Sequence, residues 1–307
     1  MLTWVIGSGG LIGSAINQRS TQIFDPGPIP WRDDESAGAA LEQYLQAFAT
    51  QTRGNPWSIV WAAGAGTTVS GEDRFIREVD VFSRFVRSLK ETTPNGPGTF
   101  ALISSAGGIH AGSSDPPFDE GTEPAPISPY GRAKLAQERL TEETLTGTLP
   151  VLICRVSNAY GPGQDLTKLQ GLISRLALCT YRKEPLHLFV PTSTVRDYIF
   201  TTDIADAVHA WLKAAHQSLE ATSRIVVIAS GEGTSIARLV KIAGDVSHRR
   251  IPIAMGSHPS ARNQPLDSRF IPTQIPGRDW IPSTPLPVGV KAVFDDIIDR
   301  LGQASAR

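Results

Sequence analysis

The chain has 307 residues, of which 40% are apolar and 19% charged, with a formal net charge of −1. That is long enough for a large core, and it offers no basic field for nucleic acid or for an anionic membrane surface. No apolar run approaches the roughly 20 residues that span a bilayer, and Met1 to Ile6 lead straight into a strand pattern without a leader-like charged and apolar region. The expectation is a cytoplasmic protein with neither membrane nor nucleic acid as partner. Cys154 and Cys179 form no CxxC pair and the six histidines show no zinc spacing, so no metal is expected and both thiols read as apolar filler.

Leu2–Ile6 predicts a buried strand, and a glycine loop follows it at once. Gly7, Ser8, Gly9, Gly10, Leu11, Ile12 and Gly13 stand between that strand and a short helical pattern. Gly7 suits a tight turn, Gly10 lets backbone N–H groups approach a pyrophosphate, and Gly13 lets the helix lie close on the strand. The anion then sits on the positive helix N-terminus, so this segment is expected to bind a dinucleotide. Thr21–Phe24 predicts the second strand, with Asp25 at its end, where a carboxylate can hold an adenosine ribose. No Arg or Lys immediately follows Asp25, which favours NAD over NADP.

Strands are then predicted at Trp57–Ala62, Thr99–Ser104 and Val151–Arg155, with helices at about 37–50, 72–92 and 129–146. Such alternation predicts an α/β fold: a doubly wound parallel sheet of the Rossmann kind, covered on both faces. Beyond residue 160 the pattern loosens. Helices are expected near 166–180, Asp203–Ala215 and 235–245, strands near 186–190 and 224–229, and a Pro-rich stretch from Pro252 to Pro287 precedes a last helix at Val288–Leu301. Residues 1–160 therefore read as a dinucleotide-binding domain. Residues 161–307 read as a smaller C-terminal α/β cap for substrate, with about 186–215 returning to the sheet.

Ser128 and Pro129 open the helix that carries Tyr130 and Lys134, four apart and so on one face. An ammonium beside a phenol favours the phenolate, which turns the tyrosine into a usable base. Upstream, the strand Phe100–Ser104 ends in two serines, Ser104 and Ser105, at the carboxyl edge where α/β sheets bind ligands. Ser105 is favoured as the hydroxyl that orients the reacting oxygen towards Tyr130, Ser104 as a cofactor contact, and His110 reads as a loop histidine.

In this order the glycine loop, the Ser–Ser strand end and the YxxxK helix resemble the extended short-chain dehydrogenase/reductases. More narrowly, they resemble the NAD-dependent epimerase/dehydratase family. Trp61-Ala62-Ala63-Gly64 is similar to that family's strand end beneath the cofactor. The stretch Arg155-Val-Ser-Asn158-Ala-Tyr160-Gly-Pro-Gly-Gln164 is similar to its RxxNxYGPGQ motif, and Val195-Arg196-Asp197-Tyr198 to Asp203 to its RDYI(F/H)xxD motif. The resemblance implies bound NAD and a nucleotide-sugar substrate; the oligomeric state is left open, although the family often pairs two copies through two helices per subunit, here those at 72–92 and 129–146, whose outward faces would carry Phe82, Phe85 and Val86 unless these face the sheet. It further implies substrate contacts from Asn158, Arg196 and Arg262, the two arginines on the diphosphate. Dehydratases of the family place an acid beside the strand-end hydroxyl, where this chain has Ala106, Gly107 and Gly108. The expectation is thus epimerisation at C4 through a transient 4-keto sugar with Tyr130 as base. One-way reduction of a 4-keto sugar with NAD(P)H uses the same residues and stays open, as does a non-catalytic, dinucleotide-sensing protein.

Overall fold

The computed structural model describes residues 1–64, 71–167, 171–218, 220–257, 264–274 and 282–305. The first part of the chain runs β1 (Leu2–Ile6), α1 (Leu11–Arg19), β2 (Gln22–Ile23), α2 (Asp34–Thr52), β3 (Trp57–Trp61), α3 (Glu72–Glu91), β4 (Gly98–Ser105), α4 (Ala106–Ile109), α5 (Pro129–Leu145) and β5 (Val151–Val156). Then come β6 (Asn158–Tyr160), α6 (Leu172–Arg182), β7 (Leu186–Leu188), β8 (Val195–Phe200), α7 (Thr201–Ser218), β9 (Ser223–Ile228), β10 (Gly233–Ser235), α8 (Ile236–Ser247), β11 (Ile253–Met255), β12 (Asp267–Ser268) and α9 (Leu286–Ser305).

Six strands form one parallel sheet in the order β2-β1-β3-β4-β5-β9. The order reverses between β1 and β3, and ligands of open α/β sheets bind in the crevice outside the strand ends at such a switch point. Parallel strands need both faces covered, which explains why β3 and β5 are buried along their whole length. Side chains alternate between two cores. Trp57, Ile59 and Trp61 join Phe48, Phe82 and Phe85 under α2 and α3, whereas Val60, Ala101 and Ile103 meet Ile16, Ile204 and Val208 of α1 and α7.

Phe82, Phe85 and Val86 therefore face the sheet rather than outwards. Helix α3 is amphipathic, and burying three large apolar groups against β3 and β4 outweighs leaving them for a partner.

The cap has its own small core, built from α6, α8 and α9 around Leu176, Leu239, Val293 and Ile297. Strand β8 sits centrally, pairing with β6, β10 and β12. Several bounds differ from the sequence reading, and two of the differences bear on the layout. The strand that returns to the six-stranded sheet is β9, while β7 pairs with β11 instead, so of 186–215 it is α7 that lies on the sheet. Helix α6 starts at Leu172 rather than near 166, after Gly171 at φ +88°.

Candidate active site

The glycine turn is built by contacts that exclude side chains. Gly7 has φ +95°, and a Cβ there would lie 2.6 Å from the Ala63 nitrogen, so the turn after β1 rests directly on the backbone after β3. A Cβ on Gly13 would overlap the Gly7 carbonyl oxygen, which is what lets α1 lie close on β1. Gly9 meets nothing, and a Cβ on Gly10 would only touch the Gly7 oxygen at 3.4 Å; these two leave open space over the turn. Helix α1 begins after Gly10 without a side-chain cap, so its first N–H groups stay available to an anion.

A cavity of about 210 Å³ opens there, lined by Gly7, Ser8, Gly9, Asn17, Asp25 and Trp31 among others. Asp25 sits in it and, among the described residues, its carboxylate is bonded only to the Gly27 N–H, at 3.1 Å. An uncapped helix start, with a cavity beside it that holds the glycine turn and the Asp25 carboxylate, fits a dinucleotide. Gly13→Ala is expected to push α1 off β1 and weaken dinucleotide binding at least tenfold, checked by calorimetric titration with a thermal melt alongside.

The second cluster forms at the carboxyl end of β4. Ser105 ends the strand, and its Oγ accepts from the Gly108 N–H at 3.1 Å, capping the single turn α4. Ser128 caps α5 in the same way through the Gly131 N–H, with Pro129 at the first position, as the sequence suggests. The two helices then meet backbone to backbone, since a Cβ on Gly131 would overlap the Gly108 carbonyl oxygen. A Cβ on Gly108 would in turn lie 2.9 Å from the Tyr130 ring and 3.2 Å from Ser105 Oγ. Ser105 and Tyr130 thus flank one glycine. Phe75 of α3 holds the far side of the ring, at 6.0 Å between centroids.

Lys134 is buried one turn further on, and its Nζ donates to the Ile103 carbonyl oxygen at 3.3 Å and to Gln137 Oε1 at 3.1 Å. The same Nζ lies 3.6 Å from where a Cβ on Gly64 would sit. Since Ala62 and Ala63 support the glycine turn, this ammonium faces the switch-point crevice. Ser104 is buried beside Ser105 in sequence, with no partner for its Oγ among the described residues.

Behind the cluster lies a network that the sequence reading missed. Glu138 holds the Arg155 guanidinium bidentately, with Nη2 to Oε2 at 2.8 Å, and both side chains are buried. Arg155 Nη1 reaches His110 Nε2 at 3.4 Å, and His110 Nδ1 lies 3.3 Å from Ser113 Oγ. A guanidinium only donates, so Nε2 accepts and Nδ1 carries the hydrogen. Burial first, then the Arg155 charge, holds the imidazole neutral, with its pKa down to about 4. His110 is thus a core residue, stacked on Phe118. The legible signal was helical spacing, because Glu138 lies four residues beyond Lys134 and eight beyond Tyr130.

Asn158 of β6 pairs in register with Tyr198 of β8, two residues beyond Arg196 on the same strand. The Asn158 amide donates to the Asp197 carbonyl oxygen at 2.8 Å, leaving its own Oδ1 uncommitted by any described bond. Arg196 donates to the Val195 carbonyl oxygen, and burial depresses its pKa from the usual guanidinium value. Asp197 is not its partner. It turns to the opposite side of β8 and accepts from Ser157, Ser230 and Gly231. Arg262 lies outside the described residues. Among the described residues no His, Cys, Asp or Glu group is arranged to hold a metal, and no helix is long and apolar enough to cross a membrane.

Comparison with known proteins agrees with this layout. The model of the NAD dependent epimerase/dehydratase family matches residues 57–229. A dTDP-L-rhamnose 4-epimerase of Burkholderia thailandensis is 35% identical over 123 residues, 39% of this chain and 33% of that protein. A dTDP-4-dehydro-6-deoxyglucose reductase of Escherichia coli is 27% identical over 205 residues, 65% of this chain and 59% of that protein. The matches to these relatives thus span from a third to about three fifths of their lengths. Among solved structures, the Bacillus cereus UDP-glucuronic acid 4-epimerase, in complex with UDP-glucuronic acid and NAD, superposes with a TM-score of 0.76 at 19% identity, covering 98% of this chain and 100% of that one. The Thermotoga maritima UDP-glucose 4-epimerase gives 0.74 at 20% identity with the same coverage. At such identities the likeness concerns the fold.

Proposed function

We propose, from the premise that the chain belongs to the NAD-dependent epimerase/dehydratase family, that it epimerises a nucleotide-linked sugar at C4. What supports this reading is that Ser105 and Tyr130 flank Gly108 at the carboxyl end of β4, with Lys134 one turn further along α5 and its Nζ near Gly64. Lys134 stands one turn beyond Tyr130 on the same face of α5, where its ammonium can stabilise negative charge that develops on the phenol oxygen during proton transfer. Tyr130 takes the proton from the C4 hydroxyl and later returns it, and the Ser105 hydroxyl orients the same oxygen. NAD, when bound, supplies a reversible hydride acceptor at that carbon. Asn158 and Arg196 hold the sugar nucleotide, the partly desolvated guanidinium pairing with its diphosphate. The three residues after Ser105 are Ala106, Gly107 and Gly108, which supply no acid for dehydration.

The names of the Burkholderia and Bacillus proteins, both 4-epimerases, support this reading. The Escherichia coli relative, a reductase, favours the one-way alternative, and one experiment separates them. The purified protein is offered a panel of UDP- and dTDP-linked sugars with no added cofactor. Epimers at C4 are expected, with dinucleotide absorbance retained by the protein. Stoichiometric consumption of added NADH or NADPH on a 4-keto sugar, with no epimer formed, would overturn the epimerase. Both thiols stay unpaired, Cys154 buried and Cys179 half-buried, which supports residence in the reducing cytoplasm. Pairing of two copies is kept as part of the proposal, through the solvent sides of α3 and α5, where Ile76 is exposed.

A further inference from the structure

Gln137 stands in the middle of α5, three residues beyond Lys134, and is 1% exposed. Burying a primary amide is costlier than burying an apolar side chain of that size, unless both ends find partners. Here only one does. The Lys134 ammonium cannot accept a hydrogen bond, so the Gln137 atom facing it at 3.1 Å is the oxygen. The amide nitrogen is buried and has no partner among the described residues. Within those residues, the only side-chain hydrogen bond Gln137 makes is to Lys134.

The ammonium has three donors to place. One goes to the Ile103 carbonyl oxygen and one to Gln137. Both fixed acceptors are neutral. The titratable groups around them come from four places in the fold. Glu78 of α3 places Oε1 3.1 Å, and Lys134 places Nζ 3.6 Å, from where a Cβ on Gly64 would sit. Glu138 of α5 and Arg155 of β5 are occupied with each other, and His110 after α4 is neutral. A carboxylate in place of the neutral Gln137 amide would offset the ammonium charge at 3.1 Å.

We propose that Gln137 is a positioning residue: through a neutral oxygen it pins the Lys134 ammonium in line with Tyr130 and leaves that charge undiminished. The proposal rests on the reading of Tyr130 as the base.

Two variants of the full chain test it, Gln137→Glu and Gln137→Met. The phenol of Tyr130 is titrated by ultraviolet difference absorbance, assigned by subtracting the same protein carrying Tyr130→Phe. In Gln137→Glu the Tyr130 midpoint is expected to rise by about one pH unit, and the acidic limb of kcat/KM to move up with it. Gln137→Met keeps the volume and loses the acceptor. There kcat is expected to fall about tenfold with KM little changed, and the midpoint to rise by less than in Gln137→Glu. A side chain that merely filled space would leave both midpoints where they are in the wild type, and that result overturns the proposal. If Gln137→Glu does not fold, an unshifted midpoint in Gln137→Met overturns it alone. The titration needs no substrate, so a chain that turns over no nucleotide sugar would end the epimerase reading while Gln137 is still decided.

Discussion

Tyr130→Phe is expected to lower kcat/KM for the epimerisation about 10³-fold, within the range that a positioned acid or base supplies. The ring is located independently of its hydroxyl. It lies against Gly108 on one side and Phe75 on the other, and α5 is fixed by the Ser128 cap and the Gly108–Gly131 contact. Phenylalanine should therefore occupy the same place and leave both the melting temperature and dinucleotide binding near the wild type. The measurement is steady-state turnover on whichever sugar nucleotide the panel identifies, with bound dinucleotide quantified in the same sample. Turnover within tenfold of the wild type would remove Tyr130 as the base.

The second large effect concerns stability. Glu138→Leu should destabilise the fold by roughly 3–5 kcal/mol, because it strands the Arg155 guanidinium in the core without its counter-charge. Glu138 and Arg155 are only 2% and 4% exposed at their side chains, so water cannot replace the lost partner. His110, neutral and already bonded through Nε2, has no charge to offer instead. Chemical denaturation with an unchanged slope would measure the loss. Removing both charges with Glu138→Leu and Arg155→Met should recover most of it, since two apolar groups need no pairing. A single-variant loss below about 1 kcal/mol would mean that the pair behaves like an exposed one.

Much of the central fold was legible because its signals are local. Glycines at 7, 10 and 13, strands bounded by Gly, Pro and Ser, and the Ser128-Pro129 cap each act within a few residues. The cap was harder to read. β6, β10, β11 and β12 have two or three residues each, too few to show a period of two. β8 has six, yet it carries Arg196 and Asp197 side by side, which read as a motif and hid the strand. The site divides in the same way. Tyr130, Lys134 and Ser105 follow from spacing and strand ends, whereas the supporting layer depends on contacts between distant segments. Arg155 meets Glu138 and His110 only because β5 runs beside β4 and beneath α5. Nothing near Arg155 in sequence announces that partnership. The outward placing of Phe82, Phe85 and Val86 failed for a related reason, since an amphipathic stripe does not say which neighbour it will meet.

The main-chain contact between Gly108 and Gly131 has a bearing on how relatives of this chain could come to accept other sugars. With no side chain at either position to trim or enlarge, that junction has nothing to adjust, and any larger residue would prise Tyr130 away from Ser105. On the proposed reading, changes of sugar preference are therefore expected in the short strands and loops after residue 157, and not at this glycine junction.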